Sequence, residues 1–473
     1  MRKLYYRTMR ICAGVWAGSI MGPPSAGRGQ WLRWLMSLSL FMLCVMMYIA
    51  FSNMSLPPVI QMGISDWAPY RTHPLKDKGW FERTCLQGTG PLGLEGIPDV
   101  IVDWRHSKHV ECRDLYLTFI KLLEVRQEEG SVDLPDPFKV KVRSWLANDN
   151  SLFQHIYDQR MVFIRNKYTR EENVFNPLRS KRPLPKLEKP ERQYIEELST
   201  QTKEGCDFCR YHEYTARDSL GRVEGLHSFT AANTFKLDRW HDLVLLKKHH
   251  PINWTQEEFL DLMETLLKWF EKVNQADQNY VYPSAIWDLL PHAGASQVHP
   301  HLHSFMDKER YQGFQDQWRE AAMRYSGDFP KRNYFSDLIQ LHAIMGLTVQ
   351  YGSAVAFANI VPKKDNEMVI VSERADRDFF LLWYFVLRGF LDDMQNGTMC
   401  FSSGAAFPSM TGDTSSQSLP AYVRIITRGI VSDNRADISS LELFTTPNAN
   451  TDPFHVISVM KESVRKRSPS GKT

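Results

Sequence analysis

The chain has 473 residues, 43% hydrophobic and 23% charged, the balance of an ordinary folded protein long enough for two or three domains. Its formal charge of +3 comes from the amino terminus: Arg2, Lys3, Arg7, Arg10, Arg28 and Arg33 precede the first acid, Asp66, and setting those six aside leaves 51 basic against 54 acidic residues. That balance argues against intrinsic disorder and gives no reason to expect non-specific nucleic-acid binding.

Residues 1–30 read as a cytoplasmic tail and residues 31–51 as a transmembrane anchor. The run from Leu35 to Phe51 carries no charge, and Trp31, Leu32 and Trp34 extend it towards the ~20 residues that span a bilayer as a helix. The positive-inside rule sends everything after about Ser52 to the far side, the topology of a single-pass type II membrane protein with a lumenal catalytic part, in the Golgi or ER. A mitochondrial presequence is the alternative, because MRKLYYRTMR is Arg-rich and acid-poor. Sequons beginning at Asn53, Asn253 and Asn396 fall on the lumenal side and suit a glycoprotein. Cys85 and Cys112 could pair in an oxidising lumen.

Residues 52–173 read as a stem and amino-terminal extension. Ser52 to Ile97 is rich in Pro and Gly, with little periodicity and no core of its own. Helical spacing appears at Leu115 to Val125, and VFNPLRSKRPLPKLEKP is an extended entry into the next unit. Apolar and β-branched residues around Phe229 to Leu246 lead into LVLLKKHHPINW, a buried strand followed by a turn. Thr255 and Glu258 fit a capping box opening a helix through Phe259, Met263, Leu266, Phe270 and Val273, whose aromatic stripe is core. VYPSAIWDLL then precedes a Gly-bearing loop and GASQVHPHLHSF. There His299, His301 and His303 alternate, so a strand would put all three on one face. Pro300 suits an edge strand or a bulge.

The order recurs downstream, with strands at Thr348 to Ala358, Glu367 to Val371 and Ala421 to Arg428, and a helix capped by Asp376. Two copies of one unit predict an α+β fold, an antiparallel sheet with packed helices. The first unit spans 174–330 and carries the histidines. The second, degenerate unit spans 331–457, and 458–473 is a basic tail. Arg424 and Arg428 in the second unit could reach an anionic ligand, or be paired surface charge. Lys247 and Lys248 read as a solvated turn.

Cys206 and Cys209 form C-D-F-C, a spacing compatible with metal, disulfide or redox roles. With His299 and either His249 or His250 they make a Cys2His2 set, and four protein ligands imply a structural zinc.

Taken together, AIWDLLPHAGASQVHPHLHSF, Cys206-x-x-Cys209 and KKHH resemble the galactose-1-phosphate uridylyltransferase branch of the histidine-triad (HIT-like) superfamily, over about Val174 to Ile457. The resemblance implies that His299 is a zinc ligand, His301 the nucleophile, and Ser296 a phosphate contact. Asp288, Gly294 and Gln297 would stand beside the substrate. Two departures concern the substrate: His303 replaces the branch's glutamine, as in the histidine-triad hydrolases, and Asp288 replaces an asparagine. The expected activity is a nucleotidyltransferase or phosphorylase on a nucleotide sugar or related diphosphate. A nucleotide hydrolase and a non-catalytic nucleotide-binding or scaffold protein are the rivals. Homodimerisation is left open.

Overall fold

The computed structural model describes residues 75–88, 92–181, 190–395, 397–411, 419–433 and 437–468. The expected anchor at 31–51 and the sequons at Asn53 and Asn396 lie outside them. Among the described residues no helix is long and apolar enough to cross a membrane.

The segment expected as a stem is folded from Lys78 onward. Helices α1 (Lys78–Cys85), α2 (Ile97–Arg105) and α3 (Val110–Leu122) close around Trp104. Its ring lies 4.8 Å from Phe81 and 5.5 Å from Phe119, and its indole N–H donates to the Cys112 carbonyl at 2.8 Å. Cys85 and Cys112 are joined by a disulfide. Strands β1 (Leu123–Ser131), β2 (Asp158–Asn166) and β3 (Glu172–Phe175) follow as an antiparallel ladder, with α4 (Asp136–Trp145) between β1 and β2. Of this unit, sequence periodicity marked only the stretch at Leu115 to Val125, which overlaps α3; most of the other apolar residues join the main core, and Leu134, Val142, Leu146 and Phe153 make a small cluster of their own.

After α5 (Glu191–Lys203), β4 (Ser228–Ala232) and β5 (Trp240–Leu246) are buried at every position, as continuous apolar runs require. Thr255 and Glu258 make the expected capping box for α6 (Gln256–Ala276): Thr255 Oγ1 accepts from Glu258 N at 3.2 Å, and Glu258 Oε2 accepts from Thr255 N at 2.7 Å. Then come β6 (Tyr282–Asp288), β7 (His301–Asp307), α7 (Gly313–Asp328), α8 (Tyr334–Ile344), β8 (Thr348–Tyr351), β9 (Ala354–Ala358), β10 (Met368–Ser372), α9 (Arg377–Arg388), β11 (Met399–Ala406) and β12 (Ala421–Ile430).

Nine strands form one sheet in the order β4-β5-β7-β6-β11-β12-β10-β9-β8, and every neighbouring pair is antiparallel. The fold is α+β, as expected. β6 and β11 are the joint, and the strands on either side follow in matching order. Helices α6 and α9 close one face, meeting at Phe259 and Trp383, 5.9 Å apart. On the opposite face α7 covers the second half, its Trp318 stacked on Tyr422 at 5.7 Å. The first half of that face carries the histidines.

Two further sequence expectations are corrected. β7 is a central strand, flanked by β5 and β6. Pro300 is tolerated because it precedes the first strand residue, where no ladder N–H is needed. Residues 458–468 are no free tail: β13 (Asn448–Ala449) pairs with β3, and α10 (Pro453–Arg467) buries Met460, Ser463 and Val464. Its basic last turn complements the helix dipole, and Lys466 and Arg467 pair with Asp393.

Candidate active site and metal centre

Cys206, Cys209, His249 and His299 converge, their ligand atoms all within 4.8 Å of one another. Cys206 caps a short 3-10 turn, accepting the Cys209 N–H on sulfur at 3.2 Å. Cys206 Sγ lies 3.4 Å from His299 Nδ1, and Cys209 Sγ lies 3.3 Å from His249 Nδ1 and 3.6 Å from His299 Nδ1. A tetrahedral zinc with bonds of ~2.3 Å to sulfur and ~2.0 Å to nitrogen sets S···N edges of ~3.5 Å, so the residues fit that ion. Both outer nitrogens are committed: His299 Nε2 donates to the Leu246 carbonyl at 2.6 Å and His249 Nε2 to the Ser199 carbonyl at 3.0 Å. These bonds fix the tautomer that leaves each Nδ1 lone pair facing the sulfurs. Burial and the nearby Cys206 push the Cys209 thiol up to about 12, so a cation is what would let both sulfurs ionise.

The choice between the tandem histidines falls on His249. His250 points away, with Nε2 on Glu196 at 3.1 Å and Nδ1 accepting from Asn253 N at 3.1 Å. It is a turn-stabilising residue, and the four-ligand set is complete without it.

His301 and His303 lie on one face of β7, ring centroids 5.5 Å apart, while Leu302 is buried on the other. His301 Nδ1 donates to the His299 carbonyl at 2.8 Å, leaving its Nε2 lone pair unprotonated. His303 Nδ1 faces His241 Nε2 at 2.9 Å, and His241 Nδ1 accepts from Leu237 N at 3.0 Å. Asn233 Nδ2 also approaches His241 Nε2, at 3.2 Å. An imidazole accepting at both nitrogens would be anionic, so the His241 proton sits on Nε2 and goes to His303. His303 therefore keeps its own proton on Nε2. Burial pushes all three down, His241 and His303 to about 4, so all are neutral at pH 7.

Sequence reasoning missed His241. Its signal was a histidine just ahead of the apolar run Leu243 to Leu246, two residues before the partner of His303, since Leu243 pairs with His303.

Asp288, at the end of β6, accepts from Ser402 Oγ at 2.5 Å across the joint. Burial pushes its carboxyl up, opposed by Ser402, Arg428 and His301. Leu290 at φ 69° and Gly294 at φ 113° turn the chain sharply here. Ser296 and Gln297 follow, both exposed. Arg428 braces this loop: Nη1 donates to the Ala293 carbonyl at 2.6 Å and to Ser402 Oγ at 3.0 Å, while Nε pairs with Asp437. Arg424 is not an anion contact. It is buried between Glu367 at 2.5 Å and Glu171 at 2.7 Å, 4.8 Å from the Trp318 ring, and its charge is neutralised there.

No known family model and no curated protein matches the chain. Among solved structures, an ADP-glucose phosphorylase from Arabidopsis thaliana with bound ADP-glucose is similar at 13% identity and TM-score 0.47, covering 63% of this chain and 97% of that one. A uridylyltransferase is similar at 13% identity and TM-score 0.43, covering 64% and 99%. A yeast Ap4A phosphorylase in complex with AMP is similar at 14% identity and TM-score 0.28, covering 71% and 98%. With TM-scores below 0.5, these likenesses carry no argument about activity.

Proposed function

We propose that the chain is a nucleotidyltransferase or phosphorylase of the uridylyltransferase-like branch, acting on a nucleotide sugar or related nucleotide diphosphate through a covalent nucleotidyl-histidine. The observation that carries this reading is the 2.8 Å bond from His301 Nδ1 to the His299 carbonyl, which leaves a neutral, buried Nε2 lone pair. His301 Nε2 attacks the α-phosphorus, an N–P bond forms, and the P–O bond to the sugar phosphate breaks. Phosphate or another acceptor then attacks the same phosphorus and releases the imidazole. His303, with its proton held on Nε2, hydrogen-bonds the phosphoryl or leaving oxygen. The Gly294 and Ala295 N–H groups are committed to the Pro291 and Leu290 carbonyls, so the exposed Ser296 and Gln297 that follow this turn are the groups that approach the phosphates. Residues 174–330 and 331–457 are the two HIT-like units.

Cys206, Cys209, His249 and His299 would hold a structural zinc, which ties the start of β7 to β5 and does no chemistry on the substrate. Since His299 also supplies the carbonyl that orients His301, metal loss would disorder the nucleophile. The Cys85–Cys112 disulfide and the apolar segment 31–51 support a lumenal catalytic part on a single-pass anchor, and the exposed Asn253 supports glycosylation there.

Hydrolysis is the second reading, favoured by one observation: His303 stands where the resembled transferases carry glutamine and receives a fixed tautomer from His241. The test is incubation of the purified lumenal part with a panel of nucleotide sugars, with and without phosphate or sugar phosphate. Acceptor-dependent turnover is expected. Acceptor-independent turnover means a hydrolase, and binding without turnover would overturn the catalytic reading in favour of a scaffold.

A further inference from the structure

Away from the histidine face, an open surface cavity of about 470 Å³ is lined by Lys121, Lys167, Tyr168, Arg170, Arg324, Gly327 and Asp328, most of them exposed. We infer that it binds a compact anion carrying two or more phosphate or sulfate groups.

Four cations meet one carboxylate here, in a body whose acids and bases otherwise nearly balance. None of the four is in a salt bridge among the described residues. Where they are held, neutral groups hold them: Lys167 Nζ donates to the Ile120 carbonyl at 2.5 Å, Arg324 Nη2 donates to the Tyr168 carbonyl at 2.5 Å, and Lys121 Nζ stands 4.7 Å from the Phe329 ring. Buried Arg424, by contrast, has two carboxylates of its own. Asp328 already accepts from the Tyr168 hydroxyl at 2.9 Å.

The plain alternative is that these cations serve only the carboxyl ends of α3 and α7. Each end is equivalent to about half a negative charge. With Asp328, that offsets about two of the four positive charges and leaves about two for a ligand. The scaffold is built before a ligand arrives. Asn166 Oδ1 accepts from Tyr168 N at 3.0 Å and Thr169 N at 3.1 Å, and Asn166 O accepts from Arg170 N at 2.8 Å. Arg170 is held at φ 61°, in the left-handed region. The cavity is separate from the histidine face, being at the far end of α7: Gln315 donates to the Ala405 carbonyl near the start of that helix, and Arg324 lies about 14 Å further along the axis.

The test titrates the full chain with inorganic pyrophosphate and, separately, with a disulfated disaccharide. Saturable uptake of at least one probe is expected, weakened about tenfold or more in Arg170→Gln/Arg324→Gln, with zinc content and thermal midpoint unchanged. Uptake of pyrophosphate alone assigns phosphate esters, and uptake of the disaccharide alone assigns sulfate esters. If the double variant fails to fold, Lys121→Gln should show the same weakening. No saturable uptake of either probe below about 10 mM, or equal affinity in the folded variant, would overturn the assignment.

Discussion

The two halves of the principal sheet share one strand order and differ in what they bury along one row. Ile286 pairs with Gly404 at the joint. From there the ladder reaches His303 on one side and Arg424 on the other, so these two occupy matching positions. His301 then matches Tyr422, and His241 matches Glu367. The first half buries neutral imidazoles linked by a single proton, His241 to His303. The second buries a full charge and neutralises it with Glu367 and Glu171, the latter contributed by the chain just ahead of β3. Buried charges demand paired partners, and partners consume the geometry a reaction would need. Neutral rings keep their lone pairs. Tyr422 is buried with its hydroxyl pushed above the usual range, so it makes no nucleophile at neutral pH.

The strongest way to break the comparison is to disarm each half at matching positions. His301→Ala should lower turnover by roughly 10³-fold or more, whereas Tyr422→Phe should leave it nearly unchanged. Equal losses in both would erase the distinction.

Next in size is Arg424→Ala, which leaves Glu171 and Glu367 without their cation. Chemical unfolding should show a loss of about 3–5 kcal/mol, much of it recovered when both glutamates are also changed to Gln. A change below about 1 kcal/mol would mean the triad is not a buried unit.

Acid titrates the buried histidines, two in the row of the first half and His342 in the core of the second. His241, His303 and the core residue His342 stay neutral down to about pH 4 when folded and take a proton near 6.5 when unfolded. Between those values these histidines make the unfolded chain bind more protons, so their contribution to stability rises with pH, while Asp242, its carboxyl pushed up to about 7 by burial, opposes them by one proton. The histidine contribution should be complete above pH 6.5 and fall progressively towards pH 4, and with three histidines against one carboxyl the net slope stays positive. An unfolding free energy flat from pH 6.5 to 4 would contradict the neutral row.

The smallest effect expected is that of His303→Gln, about tenfold or less in turnover, because an amide still donates a hydrogen bond. His241→Ala should cost a similar amount, and the double variant little more than either, since one hydrogen bond joins them. Full additivity would separate the two residues.

Much of this was legible in the sequence. Alternation placed His301 and His303 together because β7 is regular, and the capping box at Thr255 marked α6 because that signal is local. C-x-x-C spacing pointed to the metal ligands. Other features depend on long-range register. His241 meets His303 only because β5 and β7 pair as they do, and Arg424 is neutralised by Glu171, 253 positions away. Between His249 and His250 adjacency in sequence decides nothing; the turn at Pro251 sends one imidazole inward and one to Glu196.

The central claim is that His301 alone takes the nucleotide. It is tested most directly by incubating the chain with a labelled nucleotide-sugar donor and no acceptor, then mapping the label by mass spectrometry. An acid-labile phosphoramidate on the His301 peptide of the wild type, absent from His301→Ala, is the predicted result. Label on another residue, or undiminished labelling of His301→Ala, would contradict it.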